Sequence, residues 1–123
     1  AFFSHIGKKN LVAGENPQAR ERRIFHNDGV AQAQNPRTGV QLKPAALAFK
    51  PDFILISAGF DSHKDDLLGK LGITADGYRT MTKIVREIAD ATCKGRIVSM
   101  LEGGYNLDAV ADSVEAHVRA LME

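Results

Sequence analysis

The chain has 123 residues, of which 44% are hydrophobic and 25% are charged, a composition typical of one compact soluble domain. Its net charge of +1 gives no electrostatic reason to expect nucleic acid or an anionic membrane surface as a partner. Every apolar run is shorter than the roughly 18 residues of a membrane span. The single Cys93 excludes an internal disulfide and fits a reducing cytoplasm, so we predict a cytoplasmic protein.

Residues 1–43 give little periodic signal, because prolines, glycines and polar residues interrupt every short pattern. The arginines at positions 20, 22 and 23 are flanked by acidic residues and lack interleaved aromatics, so we interpret them as a solvated face. We therefore divide the chain into a poorly readable segment, 1–43, and a clearly readable α/β segment, 44–123.

The readable segment begins with a short helix over 44–50, in which Pro44 is predicted at a first-turn position. The run FILISA, residues 53–58, predicts a strand that is buried on both faces, as in a parallel sheet. A helix follows from a predicted cap at Thr74 to Gly95. Its apolar stripe consists of Tyr78, Met81, Val85 and Ile88.

A second buried strand is predicted over 96–101, and Asn106 is predicted to cap the last helix. The expected apolar face of that helix consists of Leu107, Val110, Val114, Val118 and Leu121. The alternation of strands and helices predicts an α/β domain with the two strands parallel. Both following loops, GFDSHKDD and LEGGYN, should then lie at the carboxyl rim of the sheet, where ligands bind in such folds.

The first loop brings several possible metal ligands to the end of a strand. Gly59 permits a tight turn, Asp61 lies two residues further on, and His63, Asp65 and Asp66 could add ligands or support them. The alternative is a solvated turn in which Asp66 caps a helix start.

The second loop is equally open to two interpretations. Gly103 and Gly104 could bind an anion through backbone N–H groups, or let the backbone approach a site and direct Tyr105 into it as an oxyanion donor. The alternative is a tight turn with an ordinary packed tyrosine. Of the other candidates, His117 is predicted to be a surface or half-buried residue, and Cys93 to be unreactive.

Three segments together resemble histone-deacetylase-like amidohydrolases, the superfamily that includes acetylpolyamine amidohydrolases and acetoin-utilization proteins. They are FKPDFILISAGFDSHKDDLLGKLGIT, GYRTMT and RIVSMLEGGYNLDAVADSVEAHVRALM, and they cover about residues 44–123. The resemblance implies the C-terminal part of an arginase/deacetylase-type three-layer α/β/α fold with a parallel sheet. It also implies zinc-dependent removal of acetyl or acyl groups from lysine or polyamine amides.

The resemblance assigns roles by position in the shared motifs. It implies that Asp61 is a zinc ligand, that Tyr105 is the catalytic tyrosine that polarises the acyl oxygen, and that Gly103 and Gly104 shape the pocket. Asp66 matches a loop acid with a structural role, while Gly59 and His63 belong to the pocket or its surroundings.

Two motifs of the family have no counterpart in these 123 residues. There is no tandem-histidine pair, and no D-x-H sequence precedes Asp61. We therefore expect a truncated chain that is inactive alone and has zinc only when the site is completed. The alternative is a non-catalytic α/β module that binds a protein partner or self-associates through an exposed sheet edge, and in either case a homo-oligomer is expected.

Overall fold

The computed structural model describes residues 3–7, 23–25, 37–69 and 71–123, with side chains described from Leu42 onward. Four strands and three helices follow one another in the order β1, β2, α1, β3, α2, β4, α3. Their bounds are Phe3–Gly7 for β1, Arg23–Phe25 for β2, Arg37–Phe49 for α1, Phe53–Ala58 for β3, Ala75–Cys93 for α2, Ile97–Leu101 for β4 and Leu107–Met122 for α3. Arg20 and Arg22 lie outside the described residues.

The strands form one sheet in the spatial order β2-β1-β3-β4. β3 and β4 are parallel neighbours, with Ile54 opposite Ile97 and Ala58 opposite Leu101, which confirms the predicted parallel pair. β1 lies on the other side of β3 and is antiparallel to both β3 and β2. The α/β class is thus confirmed. Two further antiparallel strands, β1 and β2, come from the poorly readable segment 1–43 and join the same sheet.

α1 begins earlier than predicted, so the expected first-turn position of Pro44 is wrong. Pro44 lies inside the helix and cannot donate a hydrogen bond from its nitrogen to the preceding turn. α1 also crosses the position between residues 43 and 44 that separates the two predicted segments. It ends at Phe49, and the next residue, Lys50, has a φ of 53° in the left-handed region and donates its N–H to the carbonyl of Ala46. The following Pro51 explains this stop, because proline disfavours right-handed helix in the residue before it.

The caps predicted for the other two helices are confirmed. The side chain of Thr74 accepts from the N–H of Gly77 at the start of α2, and the side chain of Asn106 accepts from the N–H of Ala109 at the start of α3. α2 ends in left-handed residues at Lys94 and Gly95. Its predicted apolar stripe is buried throughout.

The core lies between one face of the sheet and the helices. Ile54, Ile56 and Ala58 of β3 are almost completely buried, and they pack with Phe60 and the stripe of α2. Burial of β3 on both faces was predicted, but the opposite face is only partly covered, because Phe53 is exposed and Leu55 is half-buried. A one-sided layer of helices over the described part of the chain explains this difference.

The predicted burial of β4 and of the α3 face is wrong. Val98 and Met100 are exposed, because β4 is the last strand of the described sheet and the face on which they lie carries no described helix. Leu101, the last residue of β4, is also exposed. On α3 the buried residues are Ala109, Ser113, His117 and Ala120, whereas Leu107 is 83% exposed and Val118 is also exposed. His117 contacts Thr82 of α2, and Val110 and Val114 of the predicted face pack against the core while staying partly exposed.

Candidate functional site

The carboxyl ends of β3 and β4 are joined by backbone hydrogen bonds that continue beyond the strands. The N–H of Glu102 donates to the carbonyl of Ala58 at 3.1 Å, and the N–H of Phe60 donates to the carbonyl of Gly103 at 2.7 Å. The predicted turn after Gly59 begins with its N–H donating to the carbonyl of Ser57. The two loops that we call the Asp61 loop, residues 59–73, and the Tyr105 loop, residues 102–106, therefore lie side by side at one rim.

The carboxylate of Asp61 lies directly against the backbone of the Tyr105 loop. A Cβ atom placed on Gly103 would be 3.2 Å from Cγ of Asp61 and 3.3 Å from its Oδ2. That separation is tighter than an ordinary van der Waals contact, so the carboxylate occupies the space that a side chain at position 103 would need. Glycine at this position allows the close approach that the sequence predicted for the loop.

A buried phenol lies beneath the same carboxylate. Tyr78 of α2 is fully buried and packs edge-to-face against Phe60, with ring centroids 5.0 Å apart. Burial raises the pKa of Tyr78, and the negative charge of Asp61 raises it further, while hydrogen bonds with Ser62 act in the opposite direction. Tyr78 was predicted only as a core residue, and its proximity to Asp61 could not be read from helical spacing.

Two further glycines are required by the geometry of the rim. A Cβ on Gly69 would lie 1.5 Å from the carbonyl oxygen of Asp61, so any side chain there would displace the backbone that carries this carboxylate. Gly104 has a φ of 144°, and a Cβ there would lie 2.5 Å from Cγ2 of Val110. Gly104 was a predicted pocket residue, whereas Gly69 was missed because a glycine in a polar loop is common.

Asp66 connects the two loops. Its Oδ1 accepts from the N–H groups of Leu68 and Gly69, and its Oδ2 accepts from those of Tyr105 and Asn106. The hydrogen bond from Tyr105 contributes most to holding the pKa of Asp66 below its usual range, followed by the bond from Leu68. The structural role predicted for Asp66 therefore takes the form of a bridge between the loops.

His63 is buried within the Asp61 loop. Its Nδ1 accepts from the N–H of Asp65 at 3.2 Å, and the residue forms an isolated β-bridge with Ile73. In this arrangement Nδ1 is an acceptor, and the histidine helps to close the loop on itself. Over residues 37–69 and 71–123, no three His, Cys, Asp or Glu side chains come close enough together to hold a metal ion.

The side chain of Tyr105 is exposed, with 54% of the residue accessible to solvent. Its backbone is held by the hydrogen bond from its N–H to the carboxylate of Asp66. Leu67, Leu68 and Leu71 of the Asp61 loop and Leu107 at the start of α3 are also exposed. The geometry therefore brings Asp61, Gly103, Gly104, Asp66 and the Tyr105 backbone together.

The prediction that His117 is a surface or half-buried residue is wrong, because it is only 4% exposed. Its Nδ1 lies 2.7 Å from Oγ1 of Thr82, and its Nε2 lies 2.9 Å from Oγ of Ser99. Since the Thr82 hydroxyl donates its one proton to the carbonyl of Tyr78, Nδ1 of His117 must be the donor to Thr82. A neutral His117 thus ties α3 to α2 and to β4, and burial lowers its pKa.

Comparison with known proteins identifies the fold to which this rim belongs. The family model described as "Histone deacetylase domain" matches residues 28–121, well over half of the chain. The chain belongs to the histone deacetylase family.

Relatives with curated names agree with this assignment to the histone deacetylases. The chain is 47% identical over 75 residues to Type-2 histone deacetylase 1 of Dictyostelium discoideum, covering 61% of this chain and 5% of that protein. It is 46% identical over 79 residues to the chloroplastic Histone deacetylase 14 of Arabidopsis thaliana, covering 64% of this chain and 19% of that protein. The chain therefore spans only a small part of these relatives.

Solved histone deacetylase structures share the fold. The crystal structure of the HDA15 HD domain matches with a TM-score of 0.66 and 36% identity, covering 75% of this chain and 25% of that one. The histone deacetylase Clr3 matches with a TM-score of 0.64 and 31% identity, covering 76% and 15% respectively. These matches confirm the deacetylase-type α/β fold expected from the motifs.

Proposed function

We propose that this chain carries the rim of a deacetylase site at which Asp61 is a metal ligand and Tyr105 is an oxyanion donor. The reaction proposed for the complete domain is hydrolysis of an acetyl or other acyl amide on lysine or a polyamine. The observation that carries the proposal is the contact between the Asp61 carboxylate and Gly103, which brings the metal-ligand candidate to the loop of the tyrosine candidate. Membership of the histone deacetylase family supports the reaction class.

The described residues can supply only part of a zinc site. Catalytic zinc normally has three protein ligands, and no group of three candidate ligands is found among the described residues. Asp61 would hold one position, and the others would come from residues that this part of the chain does not contain. When bound in such a site, zinc supplies a Lewis acid and an activated water.

The contribution of the chain's own residues follows from their chemistry. The glycine at position 103 lets the Asp61 carboxylate lie against the backbone that leads to Tyr105. The Tyr105 phenol can donate a hydrogen bond to the negative charge that develops on the acyl oxygen, which stabilises the transition state more than the substrate. Because no D-x-H sequence precedes Asp61 and the sequence has no tandem-histidine pair, we propose that this chain alone is inactive.

A chimera tests the proposed roles. Residues 44–123 would replace the matching segment of an active histone deacetylase domain, such as that of HDA15, whose structure superposes on this chain. We expect the chimera to hydrolyse an acetyl-lysine peptide. Tyr105→Phe should lower its kcat by about 10²- to 10³-fold, as expected for loss of one oxyanion donor, and Asp61→Asn should abolish zinc-dependent turnover.

The matched control is Asp65→Asn, which removes one negative charge from the same loop at an exposed position. Its turnover should stay close to that of the parent chimera. A well-folded chimera that keeps full activity as Tyr105→Phe and Asp61→Asn would contradict the proposal. Turnover by the unmodified 123-residue chain with added zinc would contradict its proposed inactivity.

A second candidate function is a non-catalytic module that self-associates or binds a protein partner. It is favoured by the exposed apolar side chains Val98 and Met100 on β4, because parallel sheets usually have both faces covered. Sedimentation velocity tests it: a concentration-dependent dimer that Val98→Lys disperses supports association through this face. No helix in the described part of the chain is long and apolar enough to span a bilayer, and a cytoplasmic location stays a prediction.

A further inference from the structure

The carboxylate of Asp66 uses its two oxygens for two different loops. Oδ1 accepts within its own loop, from the N–H of Leu68 at 2.9 Å and of Gly69 at 3.2 Å. Oδ2 accepts across the rim, from the N–H of Tyr105 at 2.7 Å and of Asn106 at 3.3 Å. The bond to Tyr105 is the shortest of the four, so the strongest contact is made to the backbone of the proposed oxyanion donor.

A second contact joins the loops at the same place. The Nδ2 group of Asn106 donates to the carbonyl of Asp65 at 2.9 Å, while Oδ1 of Asn106 caps α3 by accepting from the N–H of Ala109. The carboxylate of Asp66 therefore lies at the amino end of α3, where the helix dipole favours negative charge. The Asp61 loop and the start of α3 are thereby held as one unit.

Only an aspartate fits all four donors. A carboxylate is acceptor-only on both oxygens, whereas an asparagine would direct its NH₂ group towards one of the two pairs of N–H donors. A glutamate would keep the charge but place it one methylene further from the backbone. Gly69 links this bridge to Asp61. Its N–H donates to Asp66, and a Cβ on Gly69 would overlap the carbonyl oxygen of Asp61.

We propose that Asp66 is a positioning residue for Tyr105, which fixes the backbone from which the phenol projects and sets its place relative to Asp61. The mechanistic meaning of this role rests on the proposed function. The hydrogen-bond bridge itself does not depend on the proposed function, so either one can be refuted without the other.

Amide hydrogen exchange and ¹H–¹⁵N spectra of the whole 123-residue chain test the proposal. In the wild-type chain, the amide shifts of Tyr105 and Asn106 should follow one acidic titration, with a midpoint below the usual carboxyl value of about 3.9. In Asp66→Asn the exchange of the Tyr105 amide should rise about tenfold or more, because a charge-assisted hydrogen bond is lost. Asp66→Glu should restore part of the protection.

Two controls separate positioning from general stability. Asp65→Asn removes the neighbouring charge and should leave the Tyr105 amide within about twofold of wild type, since its backbone carbonyl is retained. The amides of Ile54 and Ile56 report the opening of the core. Exchange at Tyr105 should therefore rise in Asp66→Asn by a larger factor than at these two core amides.

Two results would overturn the proposal. The first is equal acceleration at Tyr105 and in the core, which would make Asp66 a general stabilising residue. The second is a Tyr105 amide that does not respond to Asp66 at all. An inactive chimera whose Tyr105 amide nevertheless follows Asp66 would refute the proposed deacetylase function and leave the positioning role standing.

Discussion

β3 and β4 have similar apolar sequences and different surroundings. β3 lies between two strands, and three of its side chains are buried against α2 and the rest of the core. β4 is the last strand of the described sheet, and Val98 on it is 54% exposed. An apolar run therefore indicates that a strand is suited to burial, whereas the neighbours that bury it are set by the order of strands in the whole sheet.

The largest expected effect is the difference between truncating a buried branched side chain on β3 and an exposed one on β4. Ile56→Ala should lower the free energy of unfolding by about 2–5 kcal/mol, because it removes buried methyl groups and leaves a cavity. Val98→Ala should change it by less than about 0.5 kcal/mol. Urea unfolding followed by circular dichroism measures both, and equal costs would show that the exposed face of β4 is covered in solution.

The rim at the end of β3 provides the next test, through two glycines of one loop. Gly69→Ala should destabilise the chain by about 3 kcal/mol or displace the Asp61 loop, because its Cβ would overlap the carbonyl of Asp61. Gly72→Ala has open space and only a left-handed φ of 68°, so it should cost about 1–2 kcal/mol. A harmless Gly69→Ala would contradict the described loop.

His117, which joins β4 to α2 and α3, should have a smaller and pH-dependent effect on the free energy of unfolding. Burial lowers the pKa of His117 in the folded chain, so the unfolded chain binds a proton first as the pH falls. This contribution to stability is fully present above the unfolded value of about 6.5 and is lost below it, by at most about 1.4 kcal/mol per pH unit.

The measurement is the free energy of unfolding at pH 7.5 and 5.5 for the wild type and for His117→Gln. The variant should show a weaker pH dependence, because it removes the titrating group. An unchanged pH dependence would contradict the burial of a neutral His117 between Thr82 and Ser99.

Asp66 is expected to have the smallest effect on global stability. Like His117, it stabilises the folded chain less as the pH falls, but in a lower pH range. Its pKa is lowered in the folded chain, chiefly by the N–H of Tyr105. Its contribution is therefore present above the unfolded value of about 3.9 and is lost as the pH falls through the folded value. Asp66→Asn should therefore be less stable than the wild type at neutral pH, and the difference should shrink as the pH falls below about 3.9, with Asp65→Asn behaving as wild type.

Local signals predicted the fold best. The caps Thr74 and Asn106, the stripe of α2 and the parallel strand pair follow from residues close in sequence and were confirmed. The errors concern relations between distant segments. The exposure of Val98 depends on the order of strands, and the burial of His117 depends on hydroxyl partners from α2 and β4. Pro44 was misplaced because the preceding turns of α1 carry little periodic signal.

For the candidate site, too, the sequence predicted the local features and not the contacts between distant segments. The motif positions of Asp61, Gly103, Gly104 and Tyr105 were available from the resemblance, and their catalytic roles stay predictions. The adjacency of Asp61 and Gly103 required β3 and β4 to be neighbours, which chain order alone does not determine. The contact of Gly69 with Asp61, the proximity of Tyr78 to Asp61 and the four-donor bridge at Asp66 could be found only from the structure.

The shared rim requires the carboxylate of Asp61 to lie against the backbone of Gly103. Nuclear Overhauser effects between the Hβ protons of Asp61 and the Hα protons of Gly103, in the 123-residue chain, measure this contact directly. We predict a strong cross-peak, since a Cβ on Gly103 would lie 3.4 Å from Cβ of Asp61. A folded chain with both residues assigned and no such cross-peak would contradict the shared rim and, with it, the proposed deacetylase site.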